Sequence, residues 1–464
     1  MADNVVHIPA QRRVKVMVVV GTRAQAIACA PVVCALHENA ARFHVMVVGA
    51  GLHRDRFVST MTDLGMDCDI DLSLPGDIDE GQFHLLAGNA VLRFGLVVSR
   101  LRPDIVLVQG SSTTTLAAAL TAFHNNVPVA HIDTGSHDAQ PGIPSPEEGN
   151  RRCIASVASL HFAATDAARD ALLHEGVDGT RIAVTGTTMV DSLRRLTKSG
   201  HVDAHDTNGN DNETIGQNDA QQSATTAAHV PRVPDIRPAS LRTVPKSPTV
   251  PKNSVDATDI PAAPTPAPAS RPRPVGPLPE GRTVLVSLTG MQAHPAALRD
   301  ICAAVRELAL THRDTGFLVP VGSHRPLRDA AIPLLGAVPN VHLMPVPPLS
   351  EFVAILRAAR LVLTDAADVL EQAVALGVPV LAVRATPHLP EAVRAGSARL
   401  VGTDRAAILR ETTALLTDAA QHAAMAAACA MPGDGHASER ITLALDRFMT
   451  GLAPLLPPHV EFRA

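Results

Sequence analysis

An α/β fold of two doubly wound, Rossmann-like domains facing a cleft is predicted by three observations. Short continuous Val/Ile/Leu runs alternate with helical stretches along most of the 464 residues. Such runs suit parallel strands buried on both faces, and short right-handed crossovers then wind helices over both sides of each sheet. A single compositional break, at 199–281, divides this pattern into an N-terminal half, 1–198, and a C-terminal half, 282–464.

The elements follow in order. Val16–Val20 is a buried-strand run that ends at Gly21-Thr22-Arg23, and a helical stretch containing Pro31 comes next. Strands are then expected at Phe43–Val48, Asp104–Val108, Val127–Ile132 and Arg181–Val184. The break at 199–281 opens Asn/Asp/Gln-rich and closes Pro/Ala-rich. It holds 14 of the 37 prolines and no Phe or Cys, so it cannot bury enough apolar surface to offset its chain entropy. It reads as a disordered insert, extended at its Pro-rich end. Beyond it, strands are expected at Thr283–Leu288, Gly316–Val321, Asn340–Met344, Leu361–Leu363 and Pro379–Val383. Without the insert roughly 380 residues remain, the size of two such domains.

Composition narrows the function. There is no Trp or Tyr and only 10 Phe, which excludes a base-stacking nucleic-acid platform. The net charge of −5 supplies no broad basic face for a phosphate backbone, so any anion site must be local. The six cysteines are scattered without a CxxC pair, which argues for small buried thiols over disulfides or a zinc site. No apolar run approaches the ~20 residues that span a bilayer, and the first residues lack the apolar core of a secretion signal. A cytoplasmic protein that binds neither nucleic acid nor membrane is expected.

Ligands of open α/β sheets sit beyond the carboxyl ends of strands, and four post-strand segments stand out. Gly21-Thr22-Arg23-Ala24-Gln25 offers helix N–H groups and a guanidinium to an anion, or is an ordinary βα turn. The hydroxyls of Gly110–Thr115 serve either a helix cap or a ligand. His131 and Asp133 share one face of a strand, and Glu147 and Glu148 follow at a helix start. Carboxylates converging there suit general acid/base work, although for Glu148 a solvated helix-start acid is the preferred reading. The fourth segment is Thr364–Asp368, with Glu371 and Gln372 a turn further on.

These segments, read with Val184-Thr185-Gly186, Leu376–Leu381, Pro390–Val393, Arg399–Asp404 and Gly433-Asp434-Gly435, follow one another in the order of a known family. The chain resembles the non-hydrolysing UDP-N-acetylglucosamine 2-epimerases over both halves, skipping only the insert. The resemblance implies a glycosyltransferase-B-like architecture with a UDP-sugar in the cleft. The implied reaction interconverts UDP-N-acetylglucosamine and UDP-N-acetylmannosamine: the C2 proton is removed, UDP leaves, and both return with the proton on the other face. It needs no metal and no redox cofactor, and the family forms homodimers.

Position by position, the resemblance assigns Arg23 and His53 to substrate binding, Phe352 to the uracil and Gln372 to the ribose, where the family has Glu. Glu147 matches a catalytic Glu. Asp133 replaces another, one methylene shorter, and a shift of about 1 Å can cost ~10²-fold in rate. Other positions are substituted. Ala28 replaces a Lys, Ser111 a catalytic Asp, Thr289 an active-site His, Ala366 a phosphate-binding Ser and Leu389 an Arg. Asp368 places an acid where the family has Gly, beside the diphosphate. The scaffold motifs persist while polar cleft groups are lost. The expected function is therefore a sugar-nucleotide 2-epimerase with several altered positions. The alternatives are an inactive family member that senses a ligand or binds a partner and, less favoured, a glycosyltransferase of the same architecture.

Overall fold

A computed structural model describes residues 12–51, 54–72, 74, 83–133, 146–198, 282–288, 295–322, 325–384, 389–428 and 431–463. The expected insert, His53 and Thr289 lie outside the described residues.

The N-terminal half builds β1 (Val14–Val20), α1 (Arg23–Glu38), β2 (Phe43–Gly49), α2 (Arg54–Asp63), β3 (Ile70–Asp71), α3 (Phe83–Leu101), β4 (Ile105–Gln109) and α4 (Thr113–His124). It continues with β5 (Val129–Ile132), α5 (Pro146–Val157), β6 (Leu160–Ala163), α6 (Asp166–His174), β7 (Ile182–Val184) and α7 (Thr188–Lys198). The C-terminal half builds β8 (Thr283–Ser287), α8 (Pro295–Thr311), β9 (Gly316–Pro320), α9 (Arg325–Leu335), β10 (Val341–Met344), α10 (Leu349–Ala358), β11 (Leu361–Thr364) and α11 (Ala367–Ala375). It ends with β12 (Val380–Ala382), α12 (Pro390–Ala395), β13 (Ala398–Leu400), α13 (Arg405–Thr417), α14 (Ala419–Ala427) and α15 (Ala437–Met449).

All strand pairs are parallel, in the orders β3-β2-β1-β4-β5-β6-β7 and β10-β9-β8-β11-β12-β13. Each expected strand is present, with ends shifted by one or two residues. The order reverses between β1 and β4 and again between β8 and β11, so each sheet has one switch point where a crevice opens. The loops there begin at Gly21, Gly110, Leu288 and Asp365.

Helix α1 runs unbroken through Pro31, which lacks the N–H that would bond the Ile27 carbonyl. Ser192 of α7 donates its hydroxyl to that carbonyl instead, so the proline is accommodated by a neighbouring helix.

The chain crosses back from the second half to the first at its last helix. Helix α15 leaves the second sheet and buries Ile441, Ala444 and Leu445 in the first core, beside Val16, Val18 and Leu36. Asp191 of α7 fixes the crossing, accepting from the Ser438 backbone N–H at 2.8 Å and from its hydroxyl at 2.7 Å. Residues 437–463 therefore belong structurally with the N-terminal sheet, and not with the rest of 282–464. Among the described residues no helix is long and apolar enough to cross a membrane.

Candidate functional site

The first wall of the cleft is held together by Gln25. Thr22 caps α1 by accepting from the Gln25 N–H at 3.2 Å, and the Gln25 side chain returns to the cap, accepting from Gly21 N–H at 2.7 Å and Thr22 N–H at 3.1 Å. Its amide nitrogen reaches across to the β4–α4 loop, donating to the Gln109 carbonyl at 2.9 Å, Ser112 Oγ at 3.1 Å and Thr115 Oγ1 at 2.6 Å. Both switch-point loops are thereby locked to one buried side chain. The Thr-x-x-Gln spacing of a capping box was the available signal for the first half of this role. Nothing in the spacing announces the second. Ser112 caps α4 by accepting from the Thr115 N–H, so at least part of the hydroxyl run is structural.

Helix α5 gathers the other residues of this wall. Asn150 donates to the Ser111 carbonyl at 3.0 Å, and the charge of Arg151 interacts with that of Asp133, which follows the end of β5. Glu147 stands exposed in the first turn of the same helix. Ser111, Asp133 and Glu147 are thus brought to one side of the cleft. Asp133 is nearly fully buried, and His131, also buried, shares a hydrogen bond of 2.9 Å with the Gly110 carbonyl. The His131 ring meets His161 of β6 edge-on, with centroids 6.3 Å apart. Burial, followed by the neighbouring His131, pushes His161 down to about 4, so it is neutral at pH 7.

Glu148 does not behave as a solvated helix-start acid. It is buried, and Arg151 grips it with two hydrogen bonds of 2.9 Å while Arg152 adds one of 2.6 Å. Arg151 also pairs with Glu175 of the α6 terminus. Burial opposes ionisation of Glu148, but the hydrogen bonds from Arg151 and Arg152 outweigh it and hold the carboxyl below its ordinary range. A separate hollow of about 770 Å³ lies near the amino-terminal ends of β6 and β7, and none of the sequence-predicted site residues lines it.

The second wall is formed by α10 and α11. Phe352 packs with Ala366, Val369, Leu370 and Leu389 in one apolar cluster. Ala28, Ala366 and Leu389, three of the positions where the sequence led us to expect a lost polar group, are all buried apolar residues. They fill space and present no charge. Asp368 sits in the first turn of α11, whose cap residue Ala366 makes no side-chain hydrogen bond. An acid there steadies the helix by about 0.3–1 kcal/mol and occupies the end that would otherwise attract an anion. Gln372 is 0 % exposed, and its amide meets no hydrogen-bond partner among the described residues. A buried amide left unsatisfied costs about 1–3 kcal/mol, so the position suits a group completed by a ligand or by residues outside the described set.

The walls meet. The Arg23 guanidinium lies over the Phe352 ring, 4.6 Å from its centroid. Asp63 at the end of α2 accepts from the Leu349 N–H of α10 at 2.8 Å. Ile27, Met189, Leu193 and Leu196 of the first domain pack on Leu349 and Val353 of the second. His53 and Thr289 are not placed by the described residues.

Two doubly wound domains closing on a cleft at both switch points define a protein of glycosyltransferase-B-like architecture. The family model described as UDP-N-acetylglucosamine 2-epimerase matches residues 35–234 and 278–446. The UDP-N-acetylglucosamine 2-epimerase of Escherichia coli K12 is 31% identical, covering 93% of this chain and 98% of its own length. The Yersinia pestis enzyme of the same name is 30% identical, with coverage of 93% and 98%. The crystal structure of the Neisseria meningitidis UDP-GlcNAc 2-epimerase bound to UDP-GlcNAc superposes with a TM-score of 0.71 at 26% identity, covering 93% of this chain and 99% of that one. The chain belongs to the UDP-N-acetylglucosamine 2-epimerase family.

Proposed function

We propose that the cleft binds a UDP-sugar and that the chain epimerises it at C2. The observation that carries this reading is the cleft's own inventory at the switch points: Arg23 facing Phe352, the buried Gln372 amide, and Asp133 and Glu147 on the opposite wall. Phe352 would lie by the uracil with Arg23 binding the substrate beside it, Gln372 would hold the ribose, and Asp133 and Glu147 would move the C2 proton. The relatives' names and the UDP-GlcNAc bound in the Neisseria structure support the substrate class. The reaction asks for cations or helix N–H groups around the departing diphosphate; Arg23 is a cation on the cleft wall, whereas the α11 N-terminus already carries Asp368. The test is incubation of the purified protein with UDP-N-acetylglucosamine, read by proton NMR. Appearance of the manno epimer is expected, and no conversion at high protein concentration overturns the catalytic claim.

A second reading, binding without turnover, is favoured by the buried apolar residues at 28, 366 and 389 and by Asp368 at the α11 N-terminus. Like charges ~4 Å apart cost about 1 kcal/mol in water and ~4 at an effective dielectric of 20. It predicts that Asp368→Gly with Ala28→Lys tightens UDP binding in calorimetry. Tight binding by the unaltered protein, with no gain in that double variant, counts against a weakened phosphate site.

We also propose that the protein works in the cytoplasm as a homodimer through α3. That helix exposes Leu85, Val91, Leu92 and Leu96, with Phe123 of the adjoining α4 beside them. Sedimentation velocity should show a dimer that Leu92→Asp dissociates, and a monomeric parent protein refutes the assignment.

A further inference from the structure

The first turn of α10 lacks a cap of its own. Its N-cap residue is Pro348, which makes no side-chain hydrogen bond, yet the opening N–H groups of a helix need acceptors. The acceptor for Leu349 N–H comes from 286 residues away, across the cleft: Asp63 Oδ2, at 2.8 Å. A carboxylate there satisfies a donor and meets the positive end of the helix dipole.

Three residues at the start of α10 also reach across the cleft. Leu349 and Val353 fill the apolar cluster with Ile27, Met189, Leu193 and Leu196. Phe352, three residues past the capped N–H, lies under the Arg23 guanidinium. Opening the cleft would separate Asp63 from Leu349, strip α10 of its cap and part Arg23 from Phe352 together.

We propose that Asp63 is a positioning residue that latches the two domains: it caps α10 from the opposite wall and so ties cleft closure to the placement of Phe352. The ligand half of this inference rests on the nucleotide-sugar reading above. The latch itself does not. Removing a side-chain cap acts within the range that weakens helices by a factor of about 2 to 30, and the closed-to-open ratio should fall by that factor.

The test is double electron–electron resonance in the full chain. Spin labels go on Ser156 and Arg328, exposed residues of the two domains, with the exposed Cys153 replaced by Ser. Asp63→Ala should shift the distance distribution to longer values and weaken UDP binding by about 2- to 30-fold. Asp63→Asn, whose amide oxygen still accepts, should stay near the parent in both. Pro348→Ser added to Asp63→Ala gives α10 its own cap. That double variant should recover thermal stability without recovering the short distance. An unchanged distribution in Asp63→Ala overturns the latch, and so does a double variant that closes normally, since a purely local cap would then suffice. If the parent shows no UDP binding while Asp63→Ala still lengthens the distance, the nucleotide reading falls and the latch stands.

Discussion

Replacing Gln25 isolates how much of the cleft's first wall depends on one amide. In the native protein its oxygen accepts from Gly21 and Thr22, and its nitrogen serves Gln109, Ser112 and Thr115. Gln25→Met keeps the volume and removes every one of these bonds. The Thr22 N–H lies at an exposed residue where water can replace the partner, and the Gln109 carbonyl keeps the Thr115 hydroxyl at 3.1 Å. The buried Gly21 N–H has no substitute and costs about 1–3 kcal/mol, with about 1 kcal/mol more for the lost bond between the loops. A destabilisation of about 2–4 kcal/mol follows, read as a lower urea midpoint at unchanged slope. Because Arg23 is two residues away on the same turn, UDP affinity should fall as well. A Gln25→Met protein within about 0.5 kcal/mol of the parent, the range of an ordinary surface change, refutes the clamp.

Other consequences can be checked alongside. Ser192→Ala leaves the Ile27 carbonyl, which Pro31 cannot serve, without its donor, so a loss of about 1–3 kcal/mol in urea unfolding is expected. Adding Pro31→Ala supplies a backbone N–H, and a double-mutant cycle should give a coupling of about 1 kcal/mol or more; simple additivity would contradict the pairing. The ion pair of Glu148 has a definite pH signature. Its folded carboxyl lies below the ordinary range, so its stabilisation is complete above about pH 4.3 and is lost as pH falls through the depressed folded value. Glu148→Gln should lower stability at neutral pH and flatten the acid limb of the stability curve; an unaltered limb would show that the pair is not the titrating element. At the other site of domain crossing, Asp191→Ala removes the acceptor for Ser438 and should cost about 2–4 kcal/mol by the same unfolding measure, with a change below about 0.5 kcal/mol refuting it.

The strands were legible because each is a continuous apolar run, and the switch points because those runs end in turn residues. What escaped was short or interrupted. β3 is two residues long, β13 is Ala-Arg-Leu, and β6 carries His161 in the middle of its buried run. The candidate site was proposed from an order of motifs, which pointed to Arg23, Asp133, Phe352 and Gln372 but not to what touches them. Gln25 meets residues 84 to 90 positions away, and Asp63 meets Leu349 across 286. No local period encodes either contact. Glu148 shows the limit from another side. An acid at a helix start is ordinarily solvated, and only the tertiary placement of Arg151 between Glu148 and Glu175 makes it a buried ion pair. The last helix misled for a similar reason: α15 follows the second sheet in sequence, yet its apolar face matches the first core.

Epimerisation at C2 has one step that neither binding nor slow hydrolysis can imitate, the removal of the C2 proton. Incubating the protein with UDP-N-acetylglucosamine in deuterated water and following the C2 signal by NMR tests it directly. Loss of that signal at a protein-dependent rate, slowed by Asp133→Asn and by Glu147→Gln, is the result these carboxylates predict. A C2 proton that survives prolonged incubation, with UDP still bound in the cleft, would contradict catalysis and leave a protein that holds the sugar nucleotide without turning it over.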